Sequence, residues 1–368
     1  MAVYASKVKE LLKEGKPKSE TIRLILKEFG GNPTTITRRV NRISSDIKNS
    51  GVFDECEKVG IDPSTVKHYW YKGKNYSINA SSPKISYEDV RDEIIQSMNE
   101  HSPKYETIKR EKCKDGHLLV IDPADIHIGK LGLQEETGDE YNSSIATDRV
   151  IEGVNGIMSK SSGFNIDKIV FVAGNDILHT DNPKRTTTNG TPQDTDGMWY
   201  NNFMIAKHLY IKVIEYLKNF ADVHFVFNPS NHDYTSGFFL ADVIASWFRN
   251  SKNVTFDTSI SHRKYFVYHD NLIGTTHGDG AKDSDLPLLM AHEAPNEWAA
   301  TTKRYIYTHH VHHKTSKDYA GVTIESARSA SGTDSWHHRN GYTGAKKAIE
   351  AFIHSKKDGQ VARITHNF

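Results

Sequence analysis

The sequence predicts an α/β protein built as a two-sheet α-β-β-α sandwich, preceded by a small all-α N-terminal domain. Three observations carry this expectation. Between residues 117 and 249, short apolar runs of strand character alternate with amphipathic helical patterns. From residue 263 onward, strand-like runs follow one another with short turns, which suggests a second, more antiparallel sheet. Before residue 50 the pattern is helical throughout and carries a separate surplus of positive charge.

The N-terminal stretch reads as three short helices. Tyr4, Val8, Leu11 and Leu12 share one face of the first, and Ile22, Ile25, Leu26 and Phe29 share one face of the second. Gly30, Gly31, Asn32 and Pro33 then stop the chain. Thr34 or Thr35 can cap a third helix whose Ile36, Val40 and Ile43 point inward, leaving Arg38, Arg39 and Arg42 on the outside as candidate nucleic-acid contacts. This resembles a helix-turn-helix with a basic recognition helix. A plain three-helix bundle with a solvated arginine face fits the same pattern.

A smaller unit follows. Asp62 and Pro63 are placed to cap and start a helix running into STVKHYWYKGK, whose mixture of Lys67, His68, Tyr69, Trp70, Tyr71 and Lys72 suits either nucleic-acid contact or amphipathic packing. Residues 76–86 read as a linker and YEDVRDEIIQSMNEH as a connecting helix. The expected organisation is a helix-turn-helix-like basic module over 1–75, linker and connecting helix over 76–112, and the main domain over 113–368.

In the main domain, strands are expected in HLLVID (117–122), KIVFVAG (168–174) and VHFVFN (223–228), with helices around 148–160, 201–219 and 238–249. The helix at 148–160 carries Val150, Ile151, Val154, Ile157 and Met158 on one face. Further strands are expected in KYFVYH, NLIGTT, RYIYT and GVTIESA.

Composition narrows the function classes. Lys and Arg total 47 against 46 Asp and Glu, so the chain as a whole has no basic footprint. Residues 1–50, however, hold 11 basic and 5 acidic side chains, which leaves 36 basic against 41 acidic for the remainder. Two cysteines, Cys56 and Cys113, support neither a disulfide framework nor a Cys-rich zinc site. No apolar run near the start suits a signal peptide and none later reaches membrane-spanning length, so a cytoplasmic location without membrane association is expected.

Histidine is the outlying residue, 20 in all, and it clusters after apolar runs. Asp125-Ile-His127 follows HLLVID, Gly174-Asn-Asp176 follows KIVFVA, Ser230-Asn-His-Asp233 follows VHFVFN, His277-Gly-Asp279 follows LIGTT, and His309-His-Val-His312 follows RYIYT. In α/β folds the carboxyl ends of strands are where sites assemble. A carboxylate able to bridge two cations, with mixed imidazole, carboxylate and amide donors around it, is what a two-metal hydrolytic centre requires. Donors without thiolate suit Mn first, with Fe, Zn, Ni and Mg as alternatives.

The order DxH, GD, NH[DE], H, HxH resembles the calcineurin-like metallophosphoesterases, over residues 118 to about 315. The resemblance implies one metal on Asp125, His127, Asp176 and His312 and a second on Asp176, Asn231, His277 and His310, with Asp176 as the bridge. It implies a hydroxide shared by the metals that attacks phosphorus in line, and His232 as proton donor to the leaving oxygen. The sequence departs from the family pattern at three places: His309 and Ser230 stand where glycine is usual, and Asn175 intervenes between Gly174 and Asp176.

His179, three residues after Asp176, is similar to the DNA-repair exonuclease branch, where such a second histidine orients the proton-donating one, here His232; the alternative is a residue that caps a helix start. The Thr- and Asp-rich stretch 181–199, with Lys184 and Arg185, reads as a substrate-binding lid or as a solvated loop. Trp336 and His337, in the Gly-bounded segment 331–344, can border the site; this segment resembles the tails of phage- and bacteria-encoded phosphoesterases. The expected function is a metal-dependent phosphodiesterase, a nuclease acting on DNA. The alternatives are a phosphatase or small-molecule nucleotide phosphodiesterase, and an inactive DNA-binding regulator.

Overall fold

The computed structural model describes residues 2–30, 33–48, 68–72, 77–81, 103–111 and 113–368. The chain divides into two compact units, Met1–Ser97 and Met98–Phe368.

In the first unit α1 (Ala2–Lys13), α2 (Lys18–Phe29) and α3 (Pro33–Lys48) close around Val8, Leu11, Ile25, Ile36, Val40 and Ile43. The apolar positions at helical spacing therefore meet in one small core, although Phe29 stays 41% exposed. α3 begins at Pro33, whose fixed φ suits a first helical position, so Thr34 and Thr35 lie within the helix rather than before it. The segment expected to continue as a helix from Pro63 instead contains β1 (His68–Lys72), paired antiparallel with β2 (Ser77–Ser81), which falls inside the expected linker. The unit is thus not all-α. Tyr69, Trp70 and Tyr71 are of the aromatic type that strands favour, and they pair with Ala80, Asn79 and Ile78, whereas Asp62 and Pro63, where the helical start signal falls, lie outside the described residues. The expected connecting helix lies outside the described residues.

In the second unit, residues 103–111 are extended and fastened to the body. The Tyr105 hydroxyl donates to Glu215 (2.7 Å) and the Ile108 N–H to Asn253 Oδ1 (2.8 Å). The body then runs β3 (His117–Asp122), α4 (Gln134–Thr137), α5 (Ser143–Lys160), β4 (Ile166–Gly174), α6 (Trp199–Leu217), β5 (Asp222–Asn228), α7 (Tyr234–Trp247), β6 (Val254–Asp257), β7 (Arg263–Tyr268) and β8 (Asn271–Thr276). α8 (Leu286–Glu293), α9 (Pro295–Ala300), β9 (Lys303–Thr308), β10 (Thr315–Tyr319), β11 (Val322–Ser326), α10 (Ser335–Arg339), β12 (Ala348–Ser355) and β13 (Gly359–Asn367) complete it.

Six strands form one sheet in the order β13-β12-β3-β4-β5-β6, and five form the other in the order β10-β11-β9-β8-β7. Alternation along each strand builds the layers. Leu119 and Ile121 of β3 face Val150, Val154 and Ile157 of α5 in the outer core, while Leu118 and Val120 meet Ile273 of β8 and Tyr307 of β9 between the sheets. On the far face of the second sheet, Leu272, Ile306, Val322 and Ile324 pack on Leu286 and Met290 of α8. Each such fully buried aliphatic side chain contributes about 1.5–3 kcal/mol. The result is the expected α-β-β-α sandwich. The second sheet is less antiparallel than expected: β8–β9 and β9–β11 run parallel, because α8 and α9 form a crossover between β8 and β9.

Gly174, the last residue of β4, has φ +81°, and a β-carbon there would collide with the carbonyl oxygen of Asn228 on β5. Gly174→Ala is expected to cost about 1–3 kcal/mol for the left-handed backbone, before any cost of the contact. Thermal melting of that variant checks it; an unchanged midpoint would contradict this role for the turn.

Candidate metal centre

The polar clusters that end β3, β4, β5, β8 and β9 converge on one rim between the two sheets. Main-chain hydrogen bonds knit the loops together: Asp125 N–H to Asn175 O (2.9 Å), His127 N–H to Asp176 O (2.9 Å), Ile128 N–H to Ile177 O (2.7 Å) and His309 N–H to His277 O (2.9 Å). Asn228 ties the sheets at this rim by donating its side-chain amide to Thr275 O (3.0 Å).

Nine non-glycine residues among those described have positive φ, and six are here: Asp125, His127, Asn175, Asp176, His310 and His312, between +49° and +68°. Each such residue costs on the order of 1–3 kcal/mol, and concentrations of this strain mark functional sites. Asp, Asn and His are also the types that best tolerate this region. The same side chains can therefore both turn the loop and present a donor. In the HHVHH run, it is His310 and His312 that take the unusual conformation, not His309.

Two sets of three donors result, each with its ligand atoms within 4.8 Å of one another: Asp125, His127 and His312 in one, and Asp176, His277 and His310 in the other. Asp176 lies between them, its Oδ2 at 3.2 Å from His277 Nε2 and 4.0 Å from His127 Nε2. In the first set His312 Nε2 is 3.5 Å from both Asp125 Oδ1 and His127 Nε2. In the second, Asn231 Oδ1 sits 2.9 Å from His277 Nε2. A third group of three imidazoles, His127, His179 and His232, shares His127 with the first set but through its other ring nitrogen.

His309 is apart from these sets. Fully buried, it places Nε2 at 2.7 Å from Asp122 Oδ2 and Nδ1 at 2.9 Å from Thr276 O. Ser230, in place of a glycine, has a use as well: its hydroxyl accepts from the Asp176 N–H (2.8 Å) and donates to Asp233 (2.6 Å). Asp233 also accepts from the Leu178 N–H (2.9 Å), and burial together with nearby Asp176 pushes its carboxyl up to about 7.

The electrostatics of the rim call for positive charge. Burial alone would raise the Asp125 and Asp176 carboxyls, but the histidines around them, His312 for the former and His277 for the latter, outweigh it and hold both below the usual range. Burial would lower His277, yet the facing carboxylates of Asp176 and Asp125 hold it up at about 9. His127 is pushed well down by burial, reinforced by His232 and by the buried Lys130, so it is neutral with a lone pair to give. Asp125 Oδ1 is buried and accepts no hydrogen bond. A buried carboxylate oxygen whose facing imidazole, His312 Nε2, stands 3.5 Å away without a hydrogen bond is costly, and a divalent cation is the partner such a donor set fits.

The other expected site residues fall as follows. His232 is half-buried beside this cluster: its main-chain N–H donates to Asp176 Oδ1 (2.9 Å) and its Nδ1–H to the carbonyl of His179 (2.9 Å). His179 therefore orients His232 through its main chain and a ring stack at 5.3 Å, while its own Nδ1 faces His127 Nδ1 at 3.4 Å. His179→Ala keeps that carbonyl. It removes the outer partner of His127 and is expected to weaken metal affinity about 10- to 100-fold, as loss of such partners does. Metal titration of the variant checks it, and unchanged affinity would contradict it.

Lys184 and Arg185 are exposed in a segment that is more ordered than a lid: Asp181 N–H bonds Thr186 O, Thr187 N–H bonds Thr191 O, and Asp181 accepts from the Thr235 and Ser236 N–H groups at the start of α7. Arg185 leans on Met198, and neither basic side chain makes a hydrogen bond or ion pair with a donor of the two sets. Thr188 N–H does reach the Asn231 carbonyl (3.2 Å). His337 is brought to the rim, its ring stacked on His312 at 5.3 Å, with Trp336 next to it. On α3 Arg38 is exposed and Arg39 half-buried, and the side chain of Arg42 lies outside the described residues.

The sequence pattern gave no sign of Lys130 or Asp334. Lys130 is 1% exposed and pairs with Asp334 Oδ2 at 3.0 Å, and Asp334 in turn holds His337 Nδ1 at 2.6 Å. The link joins the loop after β3 to the segment before α10, which is far away in the sequence.

No family model matches this chain, and no curated protein matches it in sequence. Solved structures do superpose on it. A novel archaeal phosphodiesterase is 8% identical, over 68% of this chain and 99% of its own, with a TM-score of 0.32. Vps29 from Chaetomium thermophilum is 12% identical, over 69% and 97%, at 0.31, and Vps29 from Entamoeba histolytica complexed with Zn is 12% identical, over 68% and 98%, at 0.29. At these values no residue-level correspondence carries over. No helix among the described residues is long and apolar enough to cross a membrane.

Proposed function

We propose that this chain is a metal-dependent phosphodiesterase that cleaves nucleic acid, DNA in the first place. In this reading Asp125, His127, Asp176 and His312 hold one divalent cation, and Asp176, Asn231, His277 and His310 hold the other. The observation that carries it is the position of Asp176, a buried carboxylate within reach of both donor sets. Two cations bound there supply Lewis acidity toward a phosphoryl oxygen and a water activated for attack, with Mn the first choice for this imidazole-rich set.

The chain's own groups do the rest. Neutral His127 and ionised Asp125 and Asp176 are preset as donors by their surroundings. His232 commits Nδ1–H to the His179 carbonyl, which fixes the ring and leaves Nε2 as the nitrogen that can pass a proton to the leaving oxygen. The strained loops hold these groups before substrate arrives, so little reorganisation is needed at the moment of reaction. The N-terminal unit, with Arg38, Arg39 and Arg42 on α3, would add phosphate contacts that do not depend on base sequence.

Incubating the full chain and Mn with single- and double-stranded DNA, RNA, a phosphodiester reporter and a phosphomonoester reporter tests this. Cleavage of the diesters and of DNA is expected, with loss on chelation and recovery on Mn addition. Cleavage of the monoester alone would overturn the phosphodiesterase reading, and diester cleavage that spares every nucleic acid would overturn the nuclease reading.

A further inference from the structure

Trp336 and Tyr342 are large aromatic residues left 57% and 63% exposed at the border of the donor sets, and their rings stack on each other at 5.7 Å and 22°. They are not loose. Asp334 caps α10 through the His337 N–H (2.8 Å), the Tyr342 N–H donates to the His337 carbonyl (2.8 Å), and Asp334 itself is anchored by buried Lys130. A ladder of rings runs outward from the donors: His312 to His337 at 5.3 Å, His337 to Trp336 at 5.1 Å, then Trp336 to Tyr342. Between Ser335 and Ala348 there is no acidic residue, while His338, Arg339 and Lys346 are exposed and can meet a phosphate backbone on the side away from Glu136, whose carboxylate accepts from the Ser335 hydroxyl (2.6 Å).

We infer that Trp336 and Tyr342 form a stacking platform for an unpaired nucleobase of the substrate, beside the bond that is cut. This rests on the nucleic-acid reading above and narrows it to single-stranded substrate. A base inside a duplex has both faces covered by its neighbours and cannot lie on an outside ring, whereas an unpaired base presents its π-face. Stacking of this kind tolerates any base, so the platform selects for strandedness rather than for sequence. Because Lys130 and Asp334 hold the segment in place before binding, little freedom is lost when the base docks.

The test compares wild type, Trp336→Ala, Trp336→Phe and Tyr342→Ala on a single-stranded oligonucleotide, the same length of abasic strand, and a duplex, with the diester reporter run on wild type. Wild type is expected to prefer the base-bearing single strand to both others. Trp336→Ala is expected to raise KM for it about 5- to 150-fold, the range for loss of one base–aromatic stack, with a much smaller change in kcat. Tyr342→Ala should move in the same direction, and Trp336→Phe should recover most of the preference. A wild-type preference for duplex, or an equal loss on base-bearing and abasic strands in Trp336→Ala, would overturn the platform while leaving the nuclease reading intact. Reporter cleavage with no nucleic acid cut would overturn the nuclease reading and the platform with it.

Discussion

Asp176→Ala is expected to lower kcat for a phosphodiester on the order of a thousandfold or more, the upper part of the range for removing one preorganised charge-stabilising group, because it acts on both halves of the centre at once. Asp176 is 1% exposed, its Oδ1 is held by the His232 N–H, and its Oδ2 is the carboxylate oxygen nearest to both His277 and His127. Without it, the two donor sets lose the carboxylate that lies between them and His232 loses the acceptor that fixes its main chain. Metal content should fall together with activity. Asp176→Asn keeps an acceptor for the His232 N–H but not the charge, so it should retain the fold and still lose most of the activity. Near-wild-type turnover in Asp176→Ala, measured with purified protein of verified metal content, would show that the bridge is assigned to the wrong residue.

The second large effect separates two neighbouring histidines. His309→Ala is expected to cost about 3–5 kcal/mol of stability, because it strips a fully buried Asp122 of its partner and leaves an uncompensated charge between the sheets. Asp122 Oδ1 already lacks a hydrogen-bond partner, so the carboxylate depends on His309. His310→Ala removes a solvent-exposed ring and should lower melting far less than His309→Ala, only by the added strain of Ala at φ +68°, while weakening metal binding and activity. Melting curves and metal titrations of the two variants decide the matter. If His309→Ala melted normally and lost metal, and His310→Ala did the reverse, the run His309–His313 would have to be read one residue earlier.

The parts of the structure that were legible in the sequence are those whose signal is local. Strands β3, β4 and β5 announce themselves as apolar runs because both of their faces are covered, by helices on one side and by the second sheet on the other. The polar residues just past their ends stand out for the same reason. β12 was missed although seven of its eight residues are buried, because Glu350 and His354 interrupt the apolar pattern. Glu350 is tolerated through Arg328 and Arg363, with Thr365 donating as well, and His354 through Tyr307 and Asn271. Arg363 comes from β13, Tyr307 from β9 and Arg328 from the segment after β11, and no window of sequence shows them.

The same limit explains the hairpin at His68–Lys72, whose strand form depends on pairing with Ser77–Ser81. It also explains Lys130, which looks like a surface lysine until Asp334 arrives from the far end of the domain. Ser230 and Asn175, read as departures from a glycine pattern, are accounted for by what they touch. One is a hydroxyl relay between Asp176 and Asp233, and the other is a left-handed turn residue whose carbonyl receives the Asp125 N–H.

The central claim is that this rim holds two cations with Asp176 between them. Crystals of the full chain grown with Mn, with anomalous scattering recorded at the Mn edge, test it most directly. Two peaks are expected, one among Asp125, His127 and His312 and one among Asn231, His277 and His310, both in contact with Asp176. A single peak among His127, His179 and His232, or none at the rim, would contradict it.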